Sequence, residues 1–284
     1  MTPDPRSLIE PFVPLEAVDA TAELSRRTAR QADLVAESGA LLQLAEGMTH
    51  APGQVTQHLV DIALRLCRAG SAGLSIIEEE DGRAIFRWRA LAGSLAGHLL
   101  GTTPREFSPC GTVIDRNAIM LMSKMDLHYR YFAEVQPRVF EVLLVPFHAA
   151  NRPVGTVWVV NHDETAQFDA EDARVMSDLA AFAAAAFGLW ELHLSGAAKD
   201  GVGKRAWDLT DTYAVMRLVA EQLQRQLSEQ RSADKGPGAQ QAHADLGRLI
   251  FLIDGLLHRQ KTVKEGTPVE HRQAQSETHP EHSS

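Results

Sequence analysis

The chain has 284 residues, 44% of them hydrophobic and 23% charged, with 37 acidic against 28 basic side chains and a formal charge of −9. This is ordinary globular composition, enough for one medium domain with helical extensions but not for two large cores. The acidic balance argues against a nucleic-acid-binding face, and two isolated cysteines, Cys67 and Cys110, suit a reducing cytosol and support neither a disulfide framework nor a zinc site.

Residues 1–14 are proline-rich and lack an apolar segment after a basic one, so they do not read as a secretory signal. Residues 16–48 contain no proline and carry Leu24, Leu34, Leu41, Leu44 and Met48 at mostly helical separations, which predicts a long helix with a break near Gly39. Its apolar stripe is thin before Leu41, the pattern of a helix that lies on its own domain or pairs with another chain. A turn at 49–53 leads to a second helix over 55–69, with Leu59, Ile62, Ala63 and Leu66 inward.

The period then changes from 3.6 to 2. Residues 72–78 read as a strand, Glu80-Asp81-Gly82-Arg83 as a hairpin turn, and 84–92 as the returning strand, with Phe86, Trp88 and Ala90 on one face. Further strands are predicted at 118–122, 142–148 and 154–161, the last two joined by Ala150-Asn151-Arg152-Pro153. The runs Val142-Leu143-Leu144-Val145 and Thr156-Val157-Trp158-Val159-Val160 are apolar on both faces and belong in the middle of a covered sheet.

Asp169 is placed to cap a helix over 169–194, with Glu171 and Asp172 in its first turn and an alanine-rich apolar stripe behind them. The apolar stretch 179–190 is too short for the roughly 18 residues of a spanning helix. Residues 195–207 form a glycine-containing linker. Two helices, over 208–231 and 244–259, flank a loop at 232–241 centred on Gly236-Pro237-Gly238, which predicts an antiparallel helical hairpin. Residues 260–284 are polar and read as a disordered tail. No GxSxG elbow, HExxH helix or GxxxxGK[ST] loop occurs, so no catalytic or metal-binding residues are assigned.

The order of elements resembles the GAF domain. The segments that carry the resemblance are Phe107-Ser108-Pro109-Cys110-Gly111-Thr112-Val113-Ile114, Val142-Leu143-Leu144-Val145-Pro146-Phe147, Pro153-Val154-Gly155-Thr156-Val157-Trp158 and Phe168-Asp169-Ala170-Glu171-Asp172, together with the strand at 118–122. The resemblance covers a little over half the chain and implies an α+β fold, an antiparallel sheet of five or six strands flanked by helices, here followed by a C-terminal helical hairpin. The organisation read from it is a tail and signalling or dimerisation helix at 1–39, a GAF domain at 40–194, a linker at 195–207, the hairpin at 208–259 and the tail at 260–284.

Such a fold is expected to place a ligand pocket between the sheet and the irregular segment 94–138. The candidate ligand-binding residues are Trp88, His98, Cys110, Met120, Met122, His128, Tyr129, Tyr131 and Phe132. They line a pocket for a small molecule or fill the core beneath a lid. No cofactor is specified. Cys110, near the start of a short helix, is expected to have a lowered pKa if the helix N-terminus acts on it. GAF-fold free methionine sulfoxide reductases pair a similar Cys-Gly element with a second cysteine, and residues 111–146 contain none. Phytochrome-like members attach a bilin through a thiol that His128-Tyr129-Arg130-Tyr131-Phe132 does not offer.

The resemblance implies a cytoplasmic, non-enzymatic sensory or regulatory module for a small ligand or redox state. Such a module would act through its helices, in a homodimer, on a protein partner such as a histidine kinase or response regulator, with no nucleic acid or membrane partner. Its alternatives are an interaction or scaffold protein without ligand, a thiol-dependent reductase, or a bilin-binding photosensor. His243, before the last apolar helix, is a candidate phosphoacceptor, although the acidic residue and proline usual after such a histidine are replaced by Ala244-Asp245-Leu246.

Overall fold

The computed structural model describes residues 13–149, 152–197, 210–230 and 237–265. Its first element departs from the predicted long helix. Residues 13–33 instead form a strap with a 3-10 turn at Leu15–Ala17 and one short helix, α1 (Glu23–Arg26), and the long helix α2 runs only over Leu34–His50. The strap's backbone bonds explain why. Ala20 N–H donates to Leu121 O at 2.8 Å, Ser123 N–H donates to Val18 O at 2.9 Å, and Asp19 bridges Met122 antiparallel. Groups bonded to a strand edge cannot also close helical turns, and the strap covers an edge that would otherwise be open. Asp33 then caps α2 by accepting from Ala36 N–H, and Gly39 lies inside the helix rather than breaking it.

Helix α3 (Val55–Leu66) leads into β1 (Ser71–Glu80) and β2 (Arg83–Gly93), with Asp81 and Gly82 at φ 51° and 73°, the left-handed pair a two-residue hairpin demands. Strand β3 (Thr102–Pro104), unseen in the sequence, helix α4 (Pro109–Arg116), β4 (Met120–Ser123), β5 (Glu141–Ala149) and β6 (Arg152–Asn161) complete a six-stranded antiparallel sheet ordered β3-β2-β1-β6-β5-β4. The tip of the β5–β6 turn, residues 150 and 151, lies outside the described residues.

One irregularity re-aims the sheet. Leu74 pairs with Ala90 but Ser75 pairs with Trp88, so Arg89 is the extra residue of a bulge. Phe86 and Trp88 therefore face the lid, whereas Ala90 and Ala92 face the helices, and the single face expected for Phe86, Trp88 and Ala90 ends at Trp88. Across the sheet, a Cβ on Gly73 would stand 2.2 Å from the Trp158 indole, so the glycine makes the space that Trp158 occupies.

Helix α5 (Ala170–Ala197) is capped by Asp169, whose Oδ1 accepts from Glu171 N–H at 2.8 Å and Asp172 N–H at 3.1 Å. Helices α6 (Thr210–Gln230) and α7 (Pro237–Glu265) form the expected hairpin, and it docks on the main domain: α6 packs along α5 and α7 along α2. Met216, Leu223, Leu227, Leu246, Leu249 and Ile253 join the same core as α2, α3 and α5. α7 begins earlier than predicted because Pro237 suits the first helical turn, where its missing N–H costs nothing. The predicted linker at 195–207 overlaps the end of α5, and residues 198–209 lie outside the described residues. So do residues 231–236 and 266–284, the latter most of the predicted tail, whose first residues belong to α7. Among the described residues, no helix is long and apolar enough to cross a membrane, and no group of His, Cys, Asp or Glu is arranged to hold a metal ion.

Candidate functional site

The sheet carries helices on one face and, on the other, a lid built from β3, α4 and 3-10 turns at Ala96–His98, Met125–Leu127 and Arg130–Glu134. Helix α4 is placed by local chemistry. Ser108, in extended conformation, accepts from Gly111 N–H at 3.0 Å, Pro109 opens the helix, and a Cβ on Gly111 would meet Arg105 O at 2.1 Å. This close seating turns Cys110, Val113 and Ile114 toward the sheet.

Between sheet and lid lies a cavity of about 30 Å³, bounded by Trp88, Thr103, Cys110, Met125, Phe132 and Trp158 among others. It has room for on the order of two waters, against the roughly 300–1,000 Å³ of sites for drug-sized ligands. Phe132, in the cavity wall, stacks on Trp88 with ring centroids 6.4 Å apart and planes 22° apart, while Trp158 meets Trp88 edge-on at 5.8 Å. Thr103 Oγ1 is buried at the cavity wall with no hydrogen-bond partner. Its neighbour Trp158 is satisfied, donating from Nε1 to Ser75 Oγ at 2.8 Å.

Cys110 lines this cavity, but its chemistry differs from the expectation. Burial pushes its thiol pKa up, outweighing the lowering hydrogen bonds from Thr156, whose Oγ1 donates to Sγ at 3.1 Å, and from Ser75. A helix N-terminus favours a thiolate, but Cys110 is 5% exposed and faces an apolar cavity wall, and the loss of solvation there outweighs that effect. Burial raises the Cys67 pKa as well.

The structure brings most of the other predicted residues together, though not all at the cavity. Trp88 and Phe132 line it; Met120 and Met122 lie in the same lid-side core without reaching it. Tyr129 is buried with its hydroxyl 2.6 Å from Thr112 Oγ1, and burial pushes its pKa up to about 12. Tyr131 donates to Phe107 O at 3.0 Å. His128 packs edge-on against Tyr129, and its Nδ1–H donates to Val13 O at 2.7 Å, tying lid to strap. His98 stands outside, exposed, against the edge of Trp88. His243 lies on α7, on the helical side of the sheet, with Nε2 buried and without a hydrogen-bond partner.

Thr103, Trp158 and the strap are the parts that sequence reasoning missed. Nothing in a three-residue strand marks Thr103, and Trp158 is one apolar residue in an apolar run. Also unforeseen is a carboxylate cluster between α2 and α5. Arg174 reaches Glu37 at 2.5 Å, Glu171 at 2.6 Å and Asp178 at 2.7 Å, three carboxylates on one guanidinium. Burial, reinforced by the charge of Glu37, pushes the Asp178 carboxyl up to about 7.

Residues 49–187 match the model of the GAF domain family. No curated protein matches the chain. Among solved structures it is similar to the GAF domain of a phosphoenolpyruvate-protein phosphotransferase from Coxiella burnetii, with 16% identity, a TM-score of 0.48, and coverage of 59% of this chain and 100% of that one. It is similar to the GAF-B domain of DevS from Mycobacterium smegmatis, with 20% identity, a TM-score of 0.40 and coverage of 51% and 97%. It is also similar to a free methionine-R-sulfoxide reductase from Neisseria meningitidis, solved with its substrate, with 15% identity, a TM-score of 0.47 and coverage of 59% and 97%.

Proposed function

The chain carries a GAF domain over residues 49–187, and from that premise we propose that it is a cytoplasmic, non-catalytic sensory module whose lid-side cavity takes up a small ligand. GAF domains are in general sensory and regulatory units of signalling proteins, and typically not catalytic. The observation that carries the ligand reading is the cavity beside Trp88 and Cys110, with the Thr103 hydroxyl buried and unpartnered at its wall. Its lining is apolar and aromatic, which suits an uncharged ligand group with one hydrogen-bonding atom. At about 30 Å³ the cavity admits more than a few atoms only if Phe132 and its 3-10 turn move outward.

That movement has a mechanical route to the helices. The strap contacts the lid twice, through Val13 to His128 and through Asp19 to Arg116 at 2.7 Å. It then contacts the helical side through Arg27 to Glu141 at 2.6 Å and Arg30 to Asp172 at 2.9 Å, and runs into α2. A ligand that holds the lid outward shifts the strap and α2 by no more than its differential affinity for the two lid positions. We place the output in a homodimer acting on a protein partner such as a histidine kinase or response regulator, with no nucleic acid or membrane partner. A redox readout through Cys110 is disfavoured by the burial of its thiol.

The test is an absorbance spectrum and mass spectrometry of the denatured extract of the purified full chain, followed by thermal-shift screening with uncharged aromatic metabolites. A stoichiometric small molecule, or a compound whose stabilisation is lost on Thr103→Val, supports the reading. A clean protein that no compound stabilises replaces it with a ligand-free interaction module.

A further inference from the structure

Arg174 of α5 sits at the centre of a charge imbalance inside the helical layer. Its Nη2 stands 2.5 Å from Glu37 of α2 and 2.6 Å from Glu171, and its Nη1 stands 2.7 Å from Asp178. The three carboxylate side chains are only 3%, 10% and 15% exposed. One guanidinium neutralises one carboxylate, so full ionisation would leave two negative charges uncompensated and largely out of water. The simplest relief is one bound proton. Burial and the charge of Glu37 hold it on Asp178, whose pKa they push up to about 7, and the protonated carboxyl lies within hydrogen-bonding reach of Glu37.

Neighbouring charges do not repair the imbalance. Asp172 is already paired with Arg30 of the strap at 2.9 Å, and Asp33 is taken up by the start of α2. Arg65 and Arg68 of α3 line a pocket of about 170 Å³ whose wall includes Glu37 and Glu171, but neither arginine is ion-paired among the described residues. From α7 comes a further carboxylate, Asp245, beside Gly39 of α2. The pocket gives water a route to Glu37 and Glu171, so the cluster can exchange its proton with solvent.

Position gives this titration a mechanical consequence. Helix α2 rests mainly on α7 and α3 and touches α5 over a short stretch, where Glu37 and Arg174 form the ion pair that joins the two helices. Loss of the proton sets Glu37 on one side of that contact against Asp178 and Glu171 on the other. We infer that the Glu37–Arg174–Asp178 cluster is a proton-operated clasp between α2 and α5, closed while Asp178 is protonated and loosened as it ionises. The proton is then a second input to the helices. The inference rests on the reading of α2 as the helix that carries the movement of the lid, and it requires no ligand.

Hydrogen–deuterium exchange of the full chain, without added ligand, at about pH 6 and about pH 8 tests it, with opening constants taken after correction for intrinsic exchange. A carboxyl that titrates at about 7 in the closed clasp and at its ordinary 3.8 once open makes the opening of α2 about tenfold more favourable at the higher pH. Amides of β5 and β6 should keep their protection. Asp178→Asn carries a neutral side chain at every pH and should hold α2 as closed at the higher pH as the wild type does at the lower. Asp178→Ala, with no carboxyl to titrate, should also lose the pH response. Wild-type protection of α2 that is the same at both pH values, a rise shared equally by β5 and β6, or a rise that persists in both variants overturns the clasp. Each of these results leaves the lid-side ligand reading standing, and a chain that binds no ligand leaves the clasp untouched.

Discussion

Arg27–Glu141 is one of two buried ion pairs that hold the strap, beside Arg30–Asp172, and removing half of it is an informative perturbation of the fold. Arg27 donates from Nη2 to Glu141 Oε1 at 2.6 Å, and from Nη1 to Glu141 Oε2 at 3.0 Å and to Phe168 O at 2.6 Å. The two side chains are 15% and 7% exposed. Arg27→Met keeps the aliphatic stem and leaves the Glu141 carboxylate with Phe168 N–H, which donates to it at 3.1 Å, as its remaining partner. An exposed pair lost in this way costs about 0–1 kcal/mol, whereas stranding a buried charge costs about 3–5 kcal/mol. The low exposure of Glu141 selects the second regime. At roughly 2–4 °C per kcal/mol for a domain of this size, a loss of about 3 kcal/mol lowers Tm by roughly 6–12 °C. Adding Glu141→Gln exchanges the stranded charge for a neutral amide that still accepts from Phe168 N–H, so the double variant should recover a substantial part of that loss. Calorimetry and urea unfolding of the four proteins in the cycle provide the measurement. A loss under about 1 kcal/mol for Arg27→Met, or a double variant no more stable than the single, refutes the assignment of Arg27 as a buried anchor of the strap.

Three further outcomes are expected. Folding raises the Asp178 carboxyl from 3.8 to about 7, burial being the first cause, so the folded state holds this proton more tightly than the unfolded chain. The resulting stability is full below about pH 4 and is lost as pH rises toward 7. Asp178→Asn should therefore gain stability over the wild type between those values, and urea midpoints that track the wild type across pH would contradict it. Thr103→Val replaces an unpartnered buried hydroxyl by a methyl group and should be neutral or stabilising by up to about 1 kcal/mol; a loss of similar size would mean that the hydroxyl binds water or ligand in the cavity. Cys67 and Cys110 are both buried with raised pKa values, so a thiol reagent should leave the native chain untouched and titrate both after denaturation. Rapid native labelling of Cys110 would show that the lid opens often.

Elements whose causes lie within a few residues were legible in the chain itself. Asp81-Gly82 supplies the two left-handed positions of a hairpin, Asp169 supplies two bonds to the first turn of α5, and the apolar runs at 142–145 and 156–160 require cover on both faces. From these the sheet, the helical layer and the presence of a lid follow by pattern alone. The carboxylates around Arg174 left no such trace, because Glu37 and Asp178 meet only when α2 and α5 pack. The nine candidate ligand residues were found by composition of one segment, which cannot separate a cavity wall such as Trp88 from core such as Met122 or a surface position such as His98.

The amino-acid sequence by itself determined most of the element types, the domain they build and the segment that covers its sheet, since propensity, capping and periodicity act over neighbouring residues. Tertiary structure alone decided the rest. The strap at 18–21 spends its backbone bonds on Leu121, Met122 and Ser123, a hundred residues away, and so is not a helix. The bulge at Arg89 turns Ala90 from the lid to the helices. Burial raises the Cys110 pKa that a helix start alone would lower. Each is an effect of partners or dielectric brought by distant parts of the chain, and no local pattern encodes them.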